Sequence, residues 1–364
     1  MKVIVASDKF KGSVGSDEVA AAVGRGVRRV RPDATVVSIP VADGGDGTLS
    51  AAIASGFELV PVTASGPTGE LVRSGFARRG DVAVVELADV SGLVRLPGGR
   101  PAPMTATSRG TGEVIAAAID GGCTRVILGI GGSASTDGGA GLVEALTGSP
   151  LDLPALRQRL KGVEVVVACD VDNPLTGPTG AAAVYGPQKG ATPEQVVELD
   201  AALSRWADQV AEATGQDLRD TPGAGAAGGV GFAALALLGA ELRPGIELVL
   251  ELVGFHGQLA GADLVVTGEG ALDEQTLHGK AVAGVAAAAR AVASPGIPIV
   301  AVCGVNRLRP EQLRSAGVLA AYALTDLESD VRKCIAEPRP LLERLGERIA
   351  VDHLTMNETE RGIA

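Results

Sequence analysis

Aromatic residues make up only 2% of this 364-residue chain, and basic residues are outnumbered: 32 Lys and Arg against 43 Asp and Glu give a net charge of -11. A protein with no evident basic face and few rings for stacking lacks the means to hold a nucleic acid, so no nucleic-acid partner is expected. There are three histidines, His256, His278 and His353, standing apart, and no His/Cys cluster with metal-ligand spacing. The four cysteines, Cys123, Cys169, Cys303 and Cys334, form no CxxC pair and each follows or ends an apolar run. That usage predicts buried free thiols in a reducing compartment. No run approaches the ~20 apolar residues of a membrane span. The opening Met1-Lys2-Val3-Ile4-Val5-Ala6 is too short for a signal-peptide core and reads as a first strand. A cytoplasmic protein with no membrane partner is expected. Neither GxxxxGK[ST] nor GxSxG occurs, which leaves a Walker A loop and an α/β-hydrolase nucleophile elbow without support.

What is present is glycine, 51 residues of it, clustered in short loops where tight turns or close backbone approach are required. The length suits two cores better than one. Short apolar runs alternate with helical patterns: a strand over 3–7, a helix from Ser16 through Val19, Val23 and Val27, a strand over 35–41 and a helix over 48–55. This is the β-α-β-α order of a parallel sheet. Residues 57–87 then hold three β-rich runs separated by Gly-Pro-Thr-Gly and Arg-Gly-Asp, a meander. Alternation resumes with a helix over 111–120, a strand over 125–130, a helix over 138–147 and a strand over 163–168. Thr192-Pro193-Glu194-Gln195 is a capping box opening a helix that Gly215 stops. Trp206 on that helix reads as packing. The tail predicts strands over 263–267, 297–303 and 318–322 around a helix over 280–293. The expected fold is α/β in two domains. Residues 1–65 with 285–364 would form a discontinuous Rossmann-like parallel-sheet domain, and 66–284 an α/β domain inserted into it.

Gly-rich, carboxylate-bearing loops stand out, most of them directly after predicted strands, where parallel α/β sheets bind their ligands. Asp8-Lys9-Phe10-Lys11-Gly12-Ser13 pairs an acid with two lysines, suited to a metal, phosphate or carboxylate. Ala42-Asp43-Gly44-Gly45-Asp46-Gly47-Thr48 surrounds two acids with three glycines. In Gly129-Ile130-Gly131-Gly132-Ser133-Ala134-Ser135-Thr136-Asp137-Gly138-Gly139-Ala140-Gly141 a strand runs into a helix, a junction whose free N–H groups make an anion cradle. In Cys169-Asp170-Val171-Asp172-Asn173-Pro174 the two acids would share one side if the strand continued, and paired carboxylates suit Mg²⁺. Lys189 between glycines and Lys280 could each reach an anion. The GxGxxA match at Gly129, Gly131 and Ala134 would suggest a dinucleotide, but no acid follows at the end of a clear second strand.

Taken together, these loops resemble the bacterial glycerate kinase family of the two-domain, ATP-dependent glycerate 2-kinase type. They are joined by Gly186-Pro187-Gln188-Lys189-Gly190-Ala191, by Pro222-Gly223-Ala224-Gly225-Ala226-Ala227-Gly228-Gly229 and by Gly268-Glu269-Gly270 through Gly279-Lys280. The seven motifs fall in family order over residues 8–280. The resemblance implies two α/β domains with a cleft between them, and transfer of the ATP γ-phosphoryl group to D-glycerate to give 2-phosphoglycerate.

With that resemblance the residues take roles. Lys11, Asp43 and Asp137 are the expected catalytic groups, the base being Asp43 or Asp137. Gly131, Gly132, Ser133, Gly138, Gly139 and Lys189 would hold ATP. Asp8, Ser13, Gly44, Gly45, Glu269, Asp273 and Lys280 would hold glycerate, and Asp170 and Asp172 would hold Mg²⁺. One departure concerns Ala271, where the family commonly has Arg; Arg109 is a candidate to compensate for it. Other readings are a kinase of a neighbouring hydroxy acid, a non-catalytic ligand-binding relative and a nucleotide-cofactor dehydrogenase.

Overall fold

A computed structural model describes residues 1–277, 280–292 and 296–354. The strands are β1 (Lys2–Ser7), β2 (Thr35–Ser38), β3 (Glu58–Ser65), β4 (Leu71–Arg79), β5 (Val82–Glu86) and β6 (Arg125–Gly129). They continue with β7 (Glu164–Ala168), β8 (Glu241–Arg243), β9 (Leu264–Leu272), β10 (Ile299–Asn306) and β11 (Ala320–Ala323). The chain forms two compact units, Met1–Asp43 with Val249–Ala364 and Gly44–Leu248.

The boundaries therefore fall at 43/44 and 248/249, not at 65/66 and 284/285. The reason is packing. The helix Thr48–Ala54 lies on β4 and β5 of the second unit, whereas β9 pairs with β1 in the first.

The first unit carries a parallel sheet in the order β11-β10-β9-β1-β2. Its central strands are buried almost throughout. An unbroken apolar run such as Val3-Ile4-Val5-Ala6 suits a strand covered on both faces. The helices Ser16–Val30 and Pro338–Leu354 pack tightly against each other. A Cβ on Gly26 would stand 1.9 Å from the carbonyl oxygen of Glu343, and one on Gly346 would stand 2.3 Å from that of Val23.

The second unit carries a mixed sheet in the order β3-β4-β5-β6-β7-β8. The meander β3-β4-β5 is antiparallel and β5 to β8 are parallel. Along β3, Val60, Val62 and Ala64 face the core while Leu59 is exposed, the alternation of a sheet with one wet face. The helix Pro193–Thr214 opens on the expected box: Thr192 Oγ1 accepts from the Gln195 amide at 3.3 Å and Gln195 Oε1 from the Thr192 amide at 2.9 Å. Trp206 is buried in the hydrophobic cluster of this helix. All four cysteines are free, with Cys123, Cys303 and Cys334 buried and Cys169 half-buried. No helix among the described residues is long and apolar enough to cross a membrane.

The C-terminal ends of the parallel strands are in register. Ser7 of β1 pairs with Gly268 of β9, and Gly268 with Val302 of β10. In the second unit Glu86, Gly129, Ala168 and Arg243 form one row across β5, β6, β7 and β8. The Gly-rich loops spring from these two rows.

Candidate active site

In the first unit Asp8 follows the end of β1, and Glu269 stands in β9 next to Gly268, which pairs with Ser7 of β1. Asp8 accepts the Lys9 amide on one of its oxygens at 2.7 Å. Its carboxyl is pushed up to about 7, first by burial and then by the negative charge of Asp43, with Glu269 adding to the effect and Lys9 opposing it. Glu269 is also raised by burial, against the lowering effect of a hydrogen bond from the Thr276 hydroxyl. Asp8 feels the charge of Asp43 and Glu269, and Glu269 that of Asp43, with Lys280 acting on Glu269 in the opposite sense. A half-buried acid whose surroundings raise its proton affinity to near neutrality is the electrostatic setting of a general base.

The remaining first-unit residues divide by what they already hold. Lys11 is exposed, and its backbone N lies 3.4 Å from where a Cβ on Gly270 would stand, so the lysine loop runs beside the β9 loop. Asp273 accepts from the Gln275 amide at 2.9 Å and so caps the short turn Glu274–Leu277. Lys280 donates to Gln275 Oε1 at 2.9 Å. The Ser13 hydroxyl donates to the Ile335 carbonyl at 2.6 Å, which accounts for it as a loop anchor. His278 and Gly279 lie outside the described residues.

In the second unit the loop over 131–136 leaves β6. Gly132 is exposed with φ 76°, and Ser133, Ser135 and Thr136 are buried. Lys189 is 2% exposed. Its Nζ donates to Ser133 Oγ at 2.9 Å and to the Ser135 carbonyl at 2.5 Å. Burial holds this ammonium down to about 8, while Asp137 opposes the shift. Lys189 therefore lies beneath the loop as a buried charge and is not a surface hook. Among the described residues the hydroxyls of Ser135 and Thr136 are buried without a hydrogen-bond partner, a deficit that a ligand oxygen or an ordered water makes good.

Asp137, expected as a catalytic group, is extensively hydrogen-bonded within the second unit. It accepts from Ser108 N and Oγ, both at 2.8 Å, from Thr107 Oγ1 at 3.2 Å, and from the amides of Gly139 and Gly141 at 3.1 and 3.4 Å. A carboxylate so fully engaged ties the start of the helix Arg109–Asp120 to that of Ala140–Thr147 and is badly placed to take a substrate proton. Gly138 and Gly139 are explained by packing. A Cβ on Gly138 would stand 2.4 Å from the Trp206 ring, whose Nε1 donates to the Gly138 carbonyl at 3.0 Å, and one on Gly139 would stand 2.4 Å from Ala233 Cβ.

The loop over 44–48 lies directly on the C-terminal row. Gly44 has φ 86°, and a Cβ there would stand 2.7 Å from that of Ala168. A Cβ on Gly129 would meet the Gly44 carbonyl at 2.7 Å, and one on Gly131 the Gly45 Cα at 2.6 Å. Glycines on both sides permit this approach. Glu86, which the sequence reading passed over, accepts the amides of Gly47 and Leu49. The available signal was a single acid ending the apolar run Val82-Ala83-Val84-Val85.

Strand β7 stops at Ala168, so the strand alternation invoked for Asp170 and Asp172 does not operate. Both acids are exposed, and Asp170 accepts the Gly245 amide at 2.8 Å. No group of three or more ligating side chains suited to a metal occurs among the described residues. Arg109 pairs with Glu113 at 3.1 Å and Glu144 at 3.3 Å, and Ala271 pairs with Val305 of β10.

Comparison with known proteins agrees over nearly the whole chain. The model of the glycerate kinase family matches residues 3–154 and 147–353. The chain is 42% identical to a glycerate kinase of Bacillus subtilis, covering 96% of this chain and 97% of that one. It is 44% identical to a glycerate 2-kinase of Escherichia coli, covering 82% and 84%. A crystal structure assigned as glycerate kinase 2 from Salmonella typhimurium superposes with a TM-score of 0.80 at 38% identity, covering 97% and 98%.

Proposed function

Since the chain belongs to the glycerate kinase family, we propose that it transfers the γ-phosphoryl group of ATP to D-glycerate and that the product is 2-phosphoglycerate. The observation that carries the mechanism is the acid group Asp8, Asp43 and Glu269, with Asp8 pushed up to about 7. Phosphoryl transfer asks for position and charge neutralisation, plus one group to take the hydroxyl proton. Asp8 takes that proton as the hydroxyl oxygen bonds to phosphorus and the bond to the ADP oxygen breaks. The charge of Asp43 adds to burial in raising Asp8. Lys11 and Lys280 face the glycerate carboxylate, and Glu269, fixed by Thr276, accepts from a glycerate hydroxyl. This assignment replaces Asp137 as candidate base.

The nucleotide phosphates bind the second unit at residues 131–133. Lys189 supplies positive potential from below, and the Ser135 and Thr136 hydroxyls complete the cradle. Mg²⁺ is the implied metal. It takes oxygen ligands and keeps waters and phosphate oxygens in its shell, so two exposed carboxylates suffice. Asp170 and Asp172 fit that donor set and would hold it. When bound, the ion neutralises phosphate charge.

The test is ADP release by purified protein with ATP and Mg²⁺, with and without D-glycerate, the product being read by phosphorus and proton NMR. Glycerate-dependent ADP with phosphate on C2 supports the proposal. Phosphate on C3 overturns the regiochemistry, and ADP release indifferent to glycerate overturns the substrate.

A further inference from the structure

Glu86 belongs to none of the assigned groups, yet among the described residues it is a buried acid, 6% exposed at the end of β5. A single oxygen, Oε2, accepts the Gly47 amide at 3.1 Å and the Leu49 amide at 2.9 Å. Thr48 Oγ1 donates to the Gly45 carbonyl at 2.7 Å and closes the turn between them. The other side of the loop presses on Gly129, Gly131 and Ala168. Residues 44–48 are therefore held from two directions, by the strand ends beneath and by Glu86 beside.

An ordinary helix cap would need none of this. The helix Thr48–Ala54 has Gly47 at its N-cap and no side-chain cap of its own, and Ser or Asp at that position would satisfy its amides from the surface. Here the same task falls to a distant, buried carboxylate with acids on both flanks. The charges of Asp46 in the loop and of Asp89 in the helix Leu87–Ser91 act against its ionisation, Asp89 being itself paired with Arg95. Burial first, then these neighbours, push Glu86 up to about 7. A loop held by a buried carboxylate from another element on one side and by close glycine contacts on the other is fixed more firmly than a short helix start needs.

We propose that Glu86 is a positioning residue for the acceptor: its buried carboxylate clamps residues 44–48, and through them sets Gly44 and Gly45 in the geometry that binds glycerate. The inference rests on the proposed glycerate kinase function and on the expectation, implied by the family resemblance, that Gly44 and Gly45 hold glycerate. The clamp acts on binding and leaves the transfer step alone. Loosening it raises the KM for glycerate while kcat and the KM for ATP stay near wild type.

Glu86→Ala and Glu86→Gln separate the possibilities, Gln retaining an acceptor oxygen for the two amides. The expected result is a rise of roughly tenfold in glycerate KM for Ala, partial rescue by Gln, kcat and ATP KM changed less than about twofold, and loss of amide-exchange protection at Gly47 and Leu49 in the Ala variant. Unchanged glycerate KM with lost protection would make Glu86 a structural cap only and overturn the proposal. Retained protection in Glu86→Ala would overturn the clamp itself. A wild-type protein that turns over no glycerate would sink the functional reading alone. Glycerate affinity by calorimetry would then decide the clamp, a wild-type value in Glu86→Ala counting against it.

Discussion

At the scale of single residues the account turns on Asp8. With its carboxyl near 7, the ionised fraction grows as pH rises through neutrality. The kcat/KM for glycerate should climb about tenfold per pH unit below that value and level off above it. Asp8→Asn should lose at least about a hundredfold in kcat and flatten that limb; a steady-state pH profile reads both. Lys189 gives a contrasting expectation. Lys189→Met removes the buried charge from under the Ser133 loop, so it should raise the KM for ATP roughly tenfold and leave that for glycerate unchanged. The contacts of Asp137, Gly138 and Ser13 were not legible in the sequence: acids and glycines in a loop have the same letters whatever they touch, here a helix start, an indole ring and a distant carbonyl.

At the scale of elements the fold was read from periodicity, and that reading worked where local chemistry decides. The box at Thr192 and Gln195 and the left-handed Gly215 mark both ends of their helix. The apolar runs at β1, β6 and β7 are buried strands. It failed where a distant partner decides. Residues 44–55 read as a continuation of the first unit because nothing local reports that their helix rests on β4 and β5. Close helix packing is equally silent in sequence. Gly26 appears as one of many glycines, yet a methyl there would strike the Glu343 carbonyl. Gly26→Ala should cost about 1–3 kcal/mol, measured as a lowered midpoint in thermal or urea unfolding, with the glycerate and ATP KM values unchanged in the folded protein.

At the scale of the whole molecule, burial of Asp8 and Glu86 links stability to pH. Their ordinary values are 3.8 and 4.5, and both are raised to about 7 in the folded chain. The folded state therefore binds more protons than the unfolded state between pH ~4 and ~7, and these two groups make stability fall as pH rises through that window. The double variant Asp8→Asn with Glu86→Gln should be more stable than wild type at pH 8. The gap should shrink toward pH 4, where the wild-type groups are protonated. Melting curves of ligand-free protein at pH 5, 6.5 and 8 check this. A constant gap would mean that neither group is raised. Surface pairs such as Arg29 with Glu343 and Glu347 are present in both proteins and cancel in the difference.

The measurement closest to the central claim is glycerate-dependent ADP release by wild type and Asp8→Asn, assayed side by side with ATP and Mg²⁺ at pH 8. The account predicts turnover by wild type, phosphate on C2 of the product, and near-complete loss in the variant with glycerate still bound. Full turnover by Asp8→Asn would contradict the assignment of the base, and wild-type protein that binds glycerate without releasing ADP would contradict the kinase reading.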